Sequence, residues 1–120
     1  METQVLFAVP ILSSPDGKVT GTIVCTTPAP QLYLLTFAAP PDNRLVTSFC
    51  QSLLLALDII EFSHPPGVVV TTSAIGKFYS NGLDLKHASS TEGYWTDSLF
   101  KVFRRFLTCV LALMITPCEL

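Results

Sequence analysis

The residues best suited to chemistry in this 120-residue chain are few and scattered. Cys25, Cys50, Cys109 and Cys118 stand far apart, with no C-x-x-C pair and no histidine at ligand spacing. Neither a metal site nor a disulfide framework is expected from them, and free thiols are the better reading. His64 lies between an expected helix end and two prolines, and His87 lies in a polar segment; neither has a carboxylate at a spacing that argues a triad. Both read as surface or capping histidines. Glu61, Glu92 and Glu119 are dispersed, so no acid/base pair follows from spacing. The glycine-rich dinucleotide fingerprint, the phosphate loop and the nucleophile elbow are all missing. One segment remains. A β-branched run, Val68–Thr72, hands over to Gly76-Lys77-Phe78-Tyr79-Ser80-Asn81-Gly82-Leu83-Asp84-Leu85. A strand-to-helix junction of this kind can leave backbone N–H groups unpaired and available to a ligand oxygen. Gly82 permits an unusual φ that would aim the Leu83 N–H outward, and Asp84 is placed to cap the next turn. On residues alone, a plain turn is the better account of the segment, since strand-loop-helix junctions with one glycine are common.

The elements that must hold this loop can be read from periodicity. Gln4 to Leu12 is a strand, Pro15-Asp16-Gly17 supplies turn chemistry, and the β-branched Val19 to Thr26 pairs back as a hairpin arm. Pro28 and Pro30 should break the ladder before a third strand, Gln31 to Phe37, which Ala39-Pro40-Pro41-Asp42-Asn43 closes. The period then becomes helical. Phe49, Leu53, Ala56 and Ile60 form a stripe widened by Leu54 and Leu57, with Thr47 or Ser48 as N-cap and Ser63-His64-Pro65-Pro66 as the stop. Gly67 to Thr72 has the pattern of a strand buried on both faces. A last helix is expected from about Thr96 to Leu113, with Leu99, Val102, Phe103, Phe106, Leu107, Val110 and Leu113 facing the core. The order is that of a single α/β domain spanning residues 1–120.

Composition narrows the function classes. Hydrophobic residues make up 49% and charged residues 13% of the chain, which excludes intrinsic disorder. Seven Lys+Arg against nine Asp+Glu leave no surplus to neutralise phosphates, so no nucleic-acid partner is expected. The richest apolar stretch, Phe106 to Ile115, is about half of the ~20 residues a membrane span needs. The start, Met1-Glu2-Thr3-Gln4, lacks a basic leader, and Cys118-Glu119-Leu120 is no peroxisomal or prenylation signal, so an intracellular setting is expected.

The segment Gly76–Leu85 resembles the glycine-aspartate loop of the crotonase superfamily, the enoyl-CoA hydratase/isomerase family. Its Ser80-Asn81-Gly82-Leu83-Asp84-Leu85 form is most similar to Δ3-Δ2-enoyl-CoA isomerases of peroxisomal type. The resemblance runs from roughly Leu32 to Leu107 and includes Asp42-Asn43-Arg44-Leu45, where the family shows an Asn-x-Leu. It implies the N-terminal part of a spiral of ββα units, truncated, in a family whose members assemble as homotrimers or hexamers. It also implies an acyl-CoA substrate with no separate cofactor, because coenzyme A belongs to the substrate. The activity implied is isomerisation of 3-enoyl-CoA to trans-2-enoyl-CoA in fatty-acid β-oxidation, with enoyl-CoA hydratase as the alternative. By position, the Leu83 N–H after Gly82 would be the first of two oxyanion donors, and Ser80, Asn81, Gly82, Leu83 and Asp84 would line the acyl-CoA channel. Losing one such donor costs roughly 3–4 kcal/mol of transition-state stabilisation.

The departures are equally definite. Where the family continues into a proline-led strand and a second glycine loop, this chain reads Phe106 to Leu120 instead. The second donor and the proton-shuttling carboxylates are not found, and none of Glu2, Glu61, Glu92 or Glu119 stands at a matching position. A full catalytic cycle from this chain alone is therefore not expected. A non-catalytic fragment or interaction module, assembling with a full-length paralogue, is the competing expectation. Exposed apolar faces and poor solubility as a lone monomer go with it.

Overall fold

The computed structural model describes residues 4–13, 16–108 and 112–114. The chain begins with three antiparallel strands, β1 (Gln4–Leu12), β2 (Val19–Ala29) and β3 (Leu32–Ala38). Helix α1 (Thr47–Ser63) crosses over to β4 (Val68–Ser73), which lies parallel to β3, and β5 (Ala112–Met114) adds in parallel to β4. Between β4 and β5 come a loop, the short helix α2 (Leu85–Ser90), a π-helical turn at Trp95–Leu99 and helix α3 (Phe100–Thr108). The result is a mixed α/β architecture with sheet order β1-β2-β3-β4-β5.

Alternation decides which face of the sheet is core. Val9, Ile11, Ile23, Cys25, Tyr33, Leu35, Phe37 and Val69 share the buried face, with Thr71 and Ser73 continuing it along β4. α1 covers that face with Phe49, Cys50, Leu53, Ala56, Leu57 and Ile60, all buried. Its one buried hydroxyl, Ser52, donates to the Pro10 carbonyl at 2.9 Å, so no polar atom is stranded under the helix. The stripe expected from periodicity is the one buried, with Leu54 half-buried at its margin. Burial pushes the Cys25 and Cys50 thiols up to about 11, which keeps both protonated and unreactive at neutral pH. Cys109 and Cys118 lie outside the described residues.

α1 ends as its sequence dictates. His64 closes the last turn through its N–H to the Ile60 carbonyl, and its ring lies against Phe7 and Tyr33. Gly67 then passes so near β3 that a Cβ would sit 2.0 Å from the Gln31 carbonyl oxygen, so only glycine fits where β4 joins the sheet.

Several expectations are corrected. α1 starts after Val46, with no side-chain cap from Thr47 or Ser48. β2 runs through Pro28 to Ala29, because a register shift between Thr26 and Ala29 absorbs the missing donor. On β4 one face is buried throughout, whereas on the other only Val70 is buried, and Val68 and Thr72 are partly exposed. The single helix expected from Thr96 to Leu113 is a π-helical turn followed by α3, which ends at Thr108. Leu113 belongs instead to β5, paired with Val70. An apolar run without polar interruption does not distinguish a buried helix from a strand, and the free edge of β4 offers a ladder that a longer helix could not use. Leu99 and Val102 are buried and Phe106 partly so, but Phe103 and Leu107 are 51% and 86% exposed, so the core stripe of α3 is narrower than expected.

Candidate functional site

The loop after β4 is fixed from both ends. Ser73 Oγ accepts the Ile75 N–H at 2.9 Å, and the Ala74 N–H donates to the Phe37 carbonyl, so the chain turns as soon as the strand ends. The Tyr79 ring packs on Phe37, and its hydroxyl lies 2.8 Å from Thr71 Oγ1. Burial pushes the Tyr79 phenol up, and the Thr71 hydrogen bond only partly offsets this.

The residues singled out in the sequence fall together here. Ser80 Oγ donates to the Asn43 carbonyl at 2.7 Å and accepts the Gly82 N–H at 3.0 Å. The Asn81 N–H donates to the Asp42 carbonyl, and Asn81 Nδ2 donates to the Asp42 carboxylate at 3.0 Å. Gly82 has φ +75°, the left-handed conformation that a residue with a Cβ resists, and its carbonyl accepts the Leu45 N–H. Asp84 caps α2, its Oδ1 accepting the His87 N–H at 3.1 Å. Among the described residues, the Asn81 and Gly82 amides are bonded, and the Leu83 amide between Gly82 and the cap is bonded to none.

Sequence reasoning missed the partners on the other side. Asp42 is buried and holds Arg44 Nε at 3.1 Å; the Asn81 hydrogen bond, and after it Arg44, keeps its carboxyl below the ordinary 3.8 against the opposing effect of burial. Asn43 is fully buried at φ +52°. In the sequence Asn43 was marked only by its place in the Asn-x-Leu of the resemblance and at the end of a Pro-Pro-Asp turn, where left-handed backbone is tolerated; neither indicated its hydrogen-bond partners. His87 is a capping histidine, as expected, but it caps a helix distant in sequence. Its Nε2 accepts the Thr47 N–H at 3.1 Å, supplying the acceptor that the first turn of α1 lacks. For Nε2 to accept, the ring proton must sit on Nδ1, which lies 3.4 Å from Thr91 Oγ1. Tyr94 stands edge-on to the His87 ring and donates its hydroxyl to the Leu45 carbonyl. Its phenol is pushed up to about 12, first by burial and then by Cys50 and Asp84.

An apolar groove of about 390 Å³ opens beside the loop, with Leu45 and Ser80 on one wall and Phe103, Phe106 and Leu107 on the other. Phe37, Phe49 and Tyr79 also line it. Among the described residues no carboxylate lines it, and Glu61 is engaged with Arg105 instead. A second hollow of about 350 Å³, on the other side of Phe49, is bordered by Asp42, Arg44 and Asp84. Among the described residues no group of His, Cys, Asp or Glu side chains is arranged to hold a metal ion, and no helix is long and apolar enough to cross a membrane. Chemically, the arrangement offers an uncommitted backbone donor at Leu83, directly after a glycine turn, in a loop whose Ser80 lines a groove suited to an alkyl chain. No protein-family model, curated protein or solved structure matches the chain.

Proposed function

We propose that the chain binds an acyl-CoA thioester and polarises its carbonyl at the Leu83 N–H, as the first half of a crotonase-type oxyanion hole. The observation that carries this reading is the state of the Leu83 amide. It follows a glycine at φ +75° and donates to no acceptor among the described residues, while the two amides directly before it, those of Asn81 and Gly82, are committed. A preorganised donor of this kind gains strength as charge develops on the oxygen it holds. The apolar groove would take the acyl chain, and Ser80, Asn81 and Asp84 would shape the channel around the thioester. In the same reading, the sheet and α1 are the opening part of a ββα spiral.

The reaction that best fits the Ser-Asn-Gly-Leu-Asp loop is isomerisation of a 3-enoyl-CoA to the trans-2-enoyl-CoA, in fatty-acid β-oxidation and, by the same resemblance, in peroxisomes. A carboxylate removes the α-proton, the enolate rests on the oxyanion donors, and the γ-carbon is reprotonated. Among the described residues the groove has no carboxylate, so in this reading the acid/base group and the second donor come from elsewhere than its described lining. Hydration of a 2-enoyl-CoA is the neighbouring alternative. A non-catalytic interaction module is favoured by a different observation, the exposure of Phe103 and Leu107 at the groove's rim.

The test is spectroscopic. A 2,4-dienoyl-CoA bound against an oxyanion donor should absorb at longer wavelength, because polarising the carbonyl delocalises the conjugated system. Binding without such a shift, or no binding, overturns the proposal. If the shift occurs, rising absorbance with a 3-enoyl-CoA marks isomerase, falling absorbance with a 2-enoyl-CoA marks hydratase, and neither marks a binding module.

A further inference from the structure

We propose that Asn43 is the positioning residue of the Leu83 donor, a buried carboxamide that sets how the glycine turn is presented to a ligand. The inference rests on the reading of Leu83 as an oxyanion donor and goes beyond it, to what holds that donor in place.

Asn43 has no exposed surface and adopts φ +52°, a conformation that few residues other than glycine and asparagine accept. Every hydrogen-bonding group it has is used. Oδ1 accepts the Ala39 N–H at 2.8 Å, and Nδ2 donates to Ser73 Oγ at 2.8 Å and to the Tyr79 carbonyl at 2.9 Å. Its own N–H donates to the Ala39 carbonyl, and its carbonyl accepts the Ser80 hydroxyl. One side chain thus joins the 39–43 turn, the end of β4 and the start of the loop.

The connection extends to the donor itself. The Ser80 hydroxyl, held by Asn43, accepts the Gly82 N–H, and the Gly82 carbonyl accepts the Leu45 N–H at 2.9 Å. The Gly82–Leu83 peptide is trans, so its N–H points opposite to its carbonyl. Pinning that carbonyl to Leu45, two residues beyond Asn43, therefore fixes the direction of the Leu83 N–H. Asn43 sets the spacing of the two segments, and the peptide plane converts that spacing into the aim of a donor. Asn43 touches no ligand in this scheme; it acts through Ser80 and Leu45.

Asn43→Asp keeps the shape and the Ala39 acceptor but turns an acceptor-only oxygen toward the Tyr79 carbonyl. Ser80→Ala removes the relay hydroxyl without burying a charge, and it carries the test if the aspartate variant fails to fold. Two measurements are made on wild type and variants: amide hydrogen exchange in the free protein, and the absorbance shift and Kd of a 2,4-dienoyl-CoA. In both variants, exchange at Asn81 and Gly82 should rise by about tenfold or more while α1 and β2–β3 stay within about twofold. The absorbance shift should fall by about half or more in both variants, and in Asn43→Asp, which leaves every groove-lining residue in place, Kd should change less than about threefold. Unchanged exchange at Asn81 and Gly82, a rise spread equally over α1 and the sheet, or a shift retained in both variants overturns the proposal. Binding without a shift in wild type overturns the Leu83 reading and this one with it. A wild-type shift that survives both variants removes Asn43 alone.

Discussion

α1 and α3 are both amphipathic helices of this one molecule, yet they stand in different relations to its core. α1 lies across the sheet, and its stripe from Phe49 to Ile60 is sealed from water. α3 buries Val102, while Phe100, Phe103 and Leu107 are each more than half exposed. It is tied to α1 by Arg105, which bonds Asp58 and Glu61 and leaves Nη1 without a partner. An apolar stripe therefore states that a helix has a face to bury; whether anything covers it depends on the elements around it. The site lies between the two regimes, with Phe49 on one wall of the groove and Phe103 and Leu107 on the other.

The sharpest way to break the contrast is truncation on each side. Phe49→Ala removes a fully buried ring that stands edge-on to Phe37 and should cost about 3–5 kcal/mol in denaturant unfolding. Leu107→Ser, at 86% exposure, should change stability by no more than ~0.5 kcal/mol and make the protein less prone to self-associate in sedimentation. Equal losses at the two positions would mean that α3 is as well covered as α1. Next in size is Gly82→Ala. A Cβ there meets nothing within 4 Å, so the whole cost is backbone strain at φ +75°, roughly 1–2 kcal/mol by thermal or chemical unfolding.

His87→Ala should cost about 1 kcal/mol, because α1 then begins with no side-chain acceptor for its Thr47 N–H. The loss should appear as faster hydrogen exchange at Thr47, and an unchanged Thr47 amide would sever the two regions in this respect. The smallest effect concerns acid. The Asp42 carboxyl titrates lower in the folded chain than in the unfolded one, so its contribution is present above the ordinary 3.8 and disappears as pH falls through the lowered folded value. Asn81→Ala should move the acid limb of the unfolding curve upward, as followed by circular dichroism against pH.

The first half of the fold was legible because its signals are local. Alternation marked the strands, the 3.6-residue stripe marked α1, and Asp84 announced its cap. Gly82 was legible for the same reason, since a left-handed turn demands a particular residue. What lay beyond the sequence was long-range. Nothing near Thr47 indicates that a histidine forty residues later caps it, and nothing near Asn43 indicates that its amide would reach Ser73 and Tyr79. The end of α3 was misjudged for a related cause, because the choice between more helix and β5 is made by the free edge of β4.

Strand order in this sheet is also chain order, from β1 to β5 without a skip. Each new segment therefore finds its neighbour already in place when it leaves the ribosome, and no strand must wait for one made later or be threaded between two others. The N-terminal meander is a template that needs only α1 to close over it, and β4 and β5 extend it outward from one side. Such a sheet can acquire its shape in the direction of synthesis, and the nascent chain should resist proteolysis progressively from its amino end.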